Sequence, residues 1–296
     1  MKLARVDKPI IGALWMATSG LCFIGVYVGV KYVGTRLPAA ESAFLRYVLG
    51  LVFLFPILRM LWLEGLTGEV VRLGVVRALV HTFAVTLWFY AMARLPVAEV
   101  SAMGYLTPVF VTIGAVLILG ERLALRRGMA ILFAVIGVLI VLRPGFREVS
   151  MSHLAMLSST LFMGASYLTA KRLTDVASAE MVLALLSIGV TVGLIPLVIP
   201  VWINPTGFEL LMLFLVATFA VAGHYAMSLA FRSASLTVTQ PITFLQLIWA
   251  FAVGFLLFGE RIDGFVILGG VMIIGSVLYI TLREAQLKRR RERTAL

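Results

Sequence analysis

Runs of roughly 20 apolar residues follow one another along almost the whole chain, with only short polar breaks between them. A helix of about that length crosses the roughly 30 Å hydrocarbon core of a bilayer. Hydrophobic residues make up 61% and charged residues 13% of the 296 positions, which leaves too few polar side chains to cover a water-soluble domain. We therefore predict an all-α integral membrane protein whose ten transmembrane helices occupy residues 10–31, 39–59, 74–93, 97–119, 125–142, 153–171, 180–202, 208–230, 237–258 and 263–282.

The positive charges are distributed unevenly between the two sides of this arrangement. If the N-terminus is cytoplasmic, 18 of the 25 Lys and Arg residues fall on inner segments and 6 on outer loops, while Arg46 lies inside the second span. Short loops rich in Lys and Arg stay in the cytoplasm, so we expect both termini there. The basic tail, residues 284–296, has no interleaved aromatic residues and is expected to lie near anionic lipid. The net charge of +11 therefore does not indicate a nucleic-acid partner.

The chain contains an internal repeat. Gly120-Glu121-Arg122 returns 139 positions later as Gly259-Glu260-Arg261, and each triplet lies between the fourth and fifth span of its half. Five spans per half is an odd number, so the second half must enter the membrane from the opposite side. We predict two inverted five-helix repeats, residues 1–148 and 149–283. Further matches support the relation at shifts of 139 or 140: Phe23, Gly25, Tyr27 and Lys31 with Phe162, Gly164, Tyr167 and Lys171.

The two repeats resemble the EamA-type members of the drug/metabolite transporter superfamily. The resemblance is most specific in residues 89–145, which include "YLTPVFVTIGAVLILGE", and in residues 230–263, which end in "FGERID". It implies a carrier for small metabolites in the cytoplasmic (inner) membrane. It also implies a central cavity walled mainly by the third, fourth, eighth and ninth spans, with help from the first and sixth. Relatives export amino acids or metal-chelating metabolites, or import S-adenosylmethionine or riboflavin, so the resemblance does not identify the substrate.

Polar side chains inside membrane helices are costly unless they face a cavity or a partner. Ser101, Tyr105 and Pro108 form a polar stripe at i, i+4 and i+7 that ends in a proline kink. Gln246 and Trp249 are three residues apart and share a helix face. With Tyr27 and Trp88, we predict that Ser101, Tyr105, Gln246 and Trp249 line the transport path. The alternative for the aromatic residues is packing between helices or in the headgroup layer.

Two histidines lie in equivalent spans of the two repeats. His81 is near the middle of the third span, and His224 is in the eighth. Each is a candidate for the cavity lining that can exchange a coupling proton, or a neutral residue that bonds a neighbouring helix. The three histidines are scattered and have no nearby cysteine, so we expect no metal site, and no motif for a cofactor is present.

Charged residues near the spans are more simply explained by structure. We interpret the Gly-Glu-Arg triplets, with Glu121 and Glu260, as helix ends at the membrane surface. Arg46 lies about two turns inside the second span, where we expect an internal ion pair rather than substrate contact. Glu41 is the candidate partner, although it lies slightly off the same helical face.

These features favour a secondary carrier that moves a small organic metabolite, amino-acid-like, aromatic or vitamin-like, by alternating access. Its expected partners are that solute, the lipid bilayer and, if a histidine titrates, a proton. An integral membrane enzyme would need ionisable groups clustered at one depth, and those of this chain are dispersed. No phosphate loop, nucleophile elbow or HExxH motif is present. The remaining alternative is a non-transporting scaffold or sensor.

Overall fold

The computed structural model describes residues 9–55, 66–119, 125–146, 148–173, 176–233 and 242–294, and most of them are helical. The helices are α1 (Pro9–Val33), α2 (Ala39–Gly50), α3 (Gly68–Met92), α4 (Val97–Gly104), α5 (Thr107–Leu119), α6 (Leu125–Leu142), α7 (Met151–Leu173), α8 (Ala179–Val198), α9 (Gly207–Ser233), α10 (Leu245–Phe258) and α11 (Gly264–Thr294).

Every predicted span is helical over most of its described length, which confirms the all-α fold class. The bounds differ in several places. α3 begins six residues early, at Gly68, because the Thr67 hydroxyl accepts a hydrogen bond from the Val70 amide and caps the helix. α11 continues to Thr294 through the predicted basic tail. The fourth span is two helices, α4 and α5, separated at Tyr105 and Leu106.

The outward surfaces of the helices suit a lipid environment. Large apolar side chains are exposed on them, for example Leu132, Phe133, Leu256 and Phe265, and in water such a surface would be unfavourable. Five described segments are long and apolar enough to cross a membrane: Ile10–Val33, Gly68–Met92, Val97–Gly114, Met181–Val201 and Gly207–Met227. Shorter apolar helices occupy Gly128–Leu142, Leu245–Phe258 and Gly264–Ile280.

The packing of the helices follows the repeat. The most extensive contacts join α1 to α9 and α3 to α7, that is, the first span to the eighth and the third to the sixth. Adding five to each span number exchanges these two pairs. The pairs α2 with α8, α4 with α10 and α6 with α11 also pack together, and each pair is converted into itself by the same operation. The two five-helix repeats are therefore related by a pseudo-two-fold axis, as expected for inverted repeats.

Small residues set the distance between α1 and α9. A Cβ atom added at Gly25 would lie 2.9 Å from the Phe219 ring, and one at Gly29 would lie 2.5 Å from Cγ2 of Val216. The buried Ser19 hydroxyl donates to the Gly223 carbonyl at 2.8 Å. Gly25 and Gly29, four residues apart on α1, therefore allow the two backbones to approach closely.

We expect Gly29→Leu to destabilise the protein by about 1–3 kcal/mol, because the larger side chain must displace Val216 or separate the helices. Thermal unfolding of the purified protein in one detergent measures the effect. Gly275→Leu is the matched control, since Gly275 is also in a long helix and has no atom within 4 Å of an added Cβ. Equal losses in the two variants would contradict the close packing of α1 and α9.

Candidate functional site

The interrupted helices of the two repeats meet each other. Tyr105 lies at the break between α4 and α5, and Phe244, 139 positions later, lies in a turn directly before α10. The Tyr105 hydroxyl donates to the Thr243 carbonyl at 2.8 Å, and the rings of Tyr105 and Phe244 are 5.6 Å apart. Breaks inside a membrane protein occur where the freed backbone groups face protein or a cavity. Equivalent residues in contact place this junction at the pseudo-two-fold axis.

A cavity of about 200 Å³ lies beside this junction. Its walls come from the first, third, fourth, sixth and ninth spans: Tyr27, Trp88, Ser101, Gly104, Tyr105, Thr107, Met156, Ser159, Thr160, Met163, Tyr167 and Gln246. Five of the eight predicted lining residues are among them, namely Tyr27, Trp88, Ser101, Tyr105 and Gln246. Whether they bind a substrate stays a prediction. The eighth span, which the family resemblance places in the wall, contributes no residue to this set.

The cavity is uncharged, aromatic and rich in hydroxyl groups. The Tyr27 and Trp88 rings are 5.5 Å apart. The Tyr27 hydroxyl lies close to Ser101 and Gln246. Ser101 is only 3% exposed, and its oxygen has no well-formed hydrogen bond to the residues that the structure describes. An unpaired buried hydroxyl is costly, so a ligand that bonds Ser101 would be stabilised here.

The sequence analysis expected the sixth span, α7, to help form the wall but named none of its lining residues. Met156, Ser159, Thr160, Met163 and Tyr167 all come from this helix. One signal was present, because Tyr167 is the repeat equivalent of Tyr27 at a shift of 140. The same reasoning at a shift of 139 relates Thr107 to Gln246, and both line the cavity.

Three predicted lining residues lie elsewhere. His81 is buried between Tyr47 and Ser166, with each of its ring nitrogens 3.0 Å from a hydroxyl. His224 packs edge-on against Phe23, with ring centroids 5.1 Å apart. Trp249 packs against Gly20, where an added Cβ would lie 2.8 Å from the indole ring.

Arg46 does not form the expected ion pair within the described residues. Its guanidinium lies over the Tyr47 ring, 4.2 Å from the centroid. Glu41 instead accepts a hydrogen bond from the Ile203 amide at 3.0 Å. The expected pair is absent because Glu41 sits in the first turn of α2 and turns towards the segment after α8.

Glu260 connects three helices at one end of the bundle, which we call the Glu260 end. Its carboxylate lies 2.5 Å from the Lys31 ammonium on α1 and accepts from the Val97 amide, the first residue of α4, at 2.8 Å. Gly259 ends α10 with a φ of +62°, a conformation that glycine adopts without strain. Glu121, the repeat equivalent, lies outside the described residues.

Other ion pairs surround Glu260. Arg36 pairs with Glu209 and Arg143 with Asp263, and Nε2 of His153 lies 3.1 Å from the Glu99 carboxylate. The Glu209 carboxylate raises the pKa of the Arg36 guanidinium, which lies in the loop after α1. Within the described residues, all salt bridges that the structure contains are at this end, so the helices are tied together there.

Comparisons with known proteins agree with this architecture. The profile of the EamA-like transporter family matches residues 10–143 and again residues 150–282. The chain is 28% identical to a riboflavin transporter of Rhizobium johnstonii over 295 residues, covering 96% of this chain and 95% of that protein. It is 26% identical to an S-adenosylmethionine uptake transporter of Rickettsia prowazekii over 254 residues, 86% of each chain. A crystal structure with 16% identity superimposes with a TM-score of 0.57 and covers 93% of this chain and 98% of its own, which supports the fold.

The junction at the axis carries one hydrogen bond that its counterpart cannot form. If the two repeats exchanged conformations, Phe244 would occupy the place of Tyr105 but has no hydroxyl to donate to Gly104. We therefore expect Tyr105→Phe to shift the equilibrium away from the present conformation roughly two- to tenfold, the effect of one hydrogen bond. Phe244→Tyr should shift it in the same direction.

The shift is measured by the rate at which a maleimide labels an introduced cysteine. The protein is held in nanodiscs, so that the reagent reaches both sides of the membrane. Ala98→Cys reports opening of the Glu260 end, because Ala98 is buried beside Glu260; Cys22, the single native cysteine, is first replaced by serine. Phe146→Cys, at a residue 93% exposed, controls for reagent activity, and Tyr32→Phe controls for loss of a tyrosine hydroxyl. Unchanged labelling of Ala98→Cys in both test variants would contradict the expectation.

Proposed function

Because the chain belongs to the EamA-like transporter family, we propose that it carries a ring-bearing organic metabolite through the central cavity by alternating access. It is a multi-pass membrane transporter of small metabolites, as its relatives are named. The finer statement, a solute with an aromatic or heteroaromatic ring, is the proposal.

The uncharged aromatic wall of the cavity is the observation that carries this proposal. Tyr27, Trp88, Tyr105 and Tyr167 surround it, and aromatic side chains bind flat rings by stacking or edge contacts. The Ser101 hydroxyl and the Gln246 amide provide the few polar groups that orient a solute in an apolar pocket. Riboflavin and S-adenosylmethionine, named for the relatives, both contain nitrogen heterocycles and are the first compounds to test.

Uptake into proteoliposomes tests the proposal, with the protein compared against empty liposomes. We expect Ser101→Ala to weaken the apparent affinity roughly two- to tenfold through loss of one hydrogen bond, and Trp88→Ala to weaken it at least as much through loss of ring contacts. Trp15→Ala is the control, because Trp15 is 38% exposed on α1 and does not line the cavity.

The same assay separates the alternatives. No uptake of any ring-bearing compound, with or without a proton gradient, would contradict the carrier hypothesis and favour a scaffold or a membrane enzyme. Uptake that needs an inward proton gradient would identify the proton as the coupling ion. His81→Gln and His224→Gln then test whether either histidine carries it.

The proposal includes an orientation with both termini in the cytoplasm, repeats at residues 1–148 and 149–283, and location in the inner membrane. The distribution of Lys and Arg supports it: without Arg77, which lies inside the third span, 17 fall on inner segments and 6 on outer loops. Both variants carry serine in place of Cys22. We expect a membrane-impermeant maleimide to label Phe146→Cys in intact cells. It should label Gln286→Cys only after the membrane is permeabilised. The reverse pattern would invert the topology.

A further inference from the structure

Two arginines lie deep inside the helical bundle. Arg46 is seven residues after the start of α2 and Arg77 is nine residues after the start of α3, which corresponds to about 10 and 13 Å along the helix axes. The two helices begin at opposite ends of the bundle. Both residues therefore lie within membrane-spanning helices, away from the helix ends.

No carboxylate in the described part of the chain pairs with either arginine. Arg77 is 9% exposed and donates from Nη1 to the Val182 carbonyl at 2.9 Å, whereas its buried Nε has no partner. Arg46 contacts the face of the Tyr47 ring. By contrast, Lys31, Arg36 and Arg143 at the Glu260 end each have a carboxylate.

The two arginines share their surroundings. Arg46 lies over the Tyr47 ring, and the Tyr47 hydroxyl is 3.0 Å from Nε2 of His81, which is one helical turn after Arg77 on α3. His224 also lies near both arginines. Residues of α2, α3 and α9 thus bring two permanent positive charges and two imidazoles into one region, and this region contains no described acidic residue.

An uncompensated positive charge in the membrane interior is strongly unfavourable. A guanidinium is also the group best suited to bind an oxyanion, because its planar N–H donors match the two oxygens of a carboxylate or phosphate. The unpaired Nε of Arg77 is one such donor. The donors of Arg46 and Arg77 therefore suit an anion.

The cluster adjoins the central cavity through α7. Tyr167 lines the cavity and interacts electrostatically with Arg77. The neighbouring residue, Ser166, bonds His81 at 3.0 Å. An anionic group bound by the arginines would therefore lie next to a solute whose ring occupies the cavity.

We propose that Arg46 and Arg77 form a binding site for an oxyanion, a carboxylate or phosphate group, beside the central cavity. The assignment of this group to the transported solute rests on the function proposed above. A free inorganic anion and a lipid phosphate share the same chemistry, and the experiment distinguishes these sources.

Binding is measured without transport, by thermal unfolding of the protein in nanodiscs of uncharged lipid. Inorganic phosphate and benzoate are the probes, and benzamide is the uncharged match of benzoate. We expect phosphate and benzoate to raise the unfolding temperature of the wild type, since a ligand that binds only the folded state stabilises it. Arg77→Gln and Arg46→Gln should raise the apparent dissociation constant at least tenfold.

Two further variants keep this test specific. Arg72→Gln removes an exposed arginine five residues earlier on α3 and should change the dissociation constant less than twofold. Arg77→Lys keeps the charge and should retain part of the binding, because an ammonium attracts an oxyanion but cannot donate two parallel hydrogen bonds to it as a guanidinium can. Without an anion, Arg77→Gln should unfold at or above the temperature of the wild type, because an unpaired charge has been removed. A lower temperature would instead indicate a structural role for Arg77.

Three measurements distinguish whether the anion belongs to the solute, to a free inorganic ion or to a lipid. Inhibition of ring-solute uptake by benzoate and not by benzamide, lost in Arg77→Gln, assigns the site to the solute. Stabilisation by phosphate without any effect on uptake assigns it to a free anion. Stabilisation by phosphatidylglycerol in the nanodisc, with loss of the phosphate effect, assigns it to a lipid headgroup.

Two results would overturn the site itself. One is equal stabilisation of the wild type, Arg46→Gln and Arg77→Gln by the anions. The other is no stabilisation of the wild type by phosphate, benzoate or anionic lipid. If instead anions bind but no compound is transported, the site stands and the carrier hypothesis fails.

Discussion

Inside a membrane, a backbone amide or carbonyl has no water to bond, and this constraint controls the whole structure. A continuous helix satisfies its own backbone, so any break must be placed where protein supplies the missing partners. Here the breaks at Tyr105 and Phe244 are placed against each other, and the Tyr105 hydroxyl bonds the Thr243 carbonyl. The cavity lies beside these breaks, where backbone groups and polar side chains face protein instead of lipid.

The inverted repeat allows the same helix contacts to be used in both halves. One set of helix contacts is used twice, so that α1 on α9 and α3 on α7 are two versions of the same interface. The symmetry is incomplete where equivalent residues of the two repeats have different side chains. Tyr105 has a hydroxyl that bonds the Thr243 carbonyl, and its repeat equivalent Phe244 has none; in the alternating-access cycle that we propose, the two conformations would therefore differ in energy.

Charge divides the molecule into two regions. At the Glu260 end, basic side chains meet carboxylates, and Glu260 holds α1, α4 and α10 together. In the interior, Arg46 and Arg77 have aromatic and histidine neighbours but no described carboxylate. The first region closes an end of the bundle, and the second is suited to an anion that arrives from outside the chain.

The apolar runs and the 139-residue repeat, read from the sequence alone, determined the ten-span fold and the relation between its halves, because the solvent acts on every residue of a span in the same way. Tertiary structure decided which polar residues meet. Gln246 and Tyr105 line the cavity while Trp249, one turn from Gln246, packs on Gly20. The family resemblance placed the sixth span, α7, in the wall, but hydropathy did not show which of its serines and threonines face the cavity, because that depends on the neighbouring helices. The inward face of each helix contacts another helix and not lipid. That helix is distant in sequence, so the sequence alone does not show which residues meet.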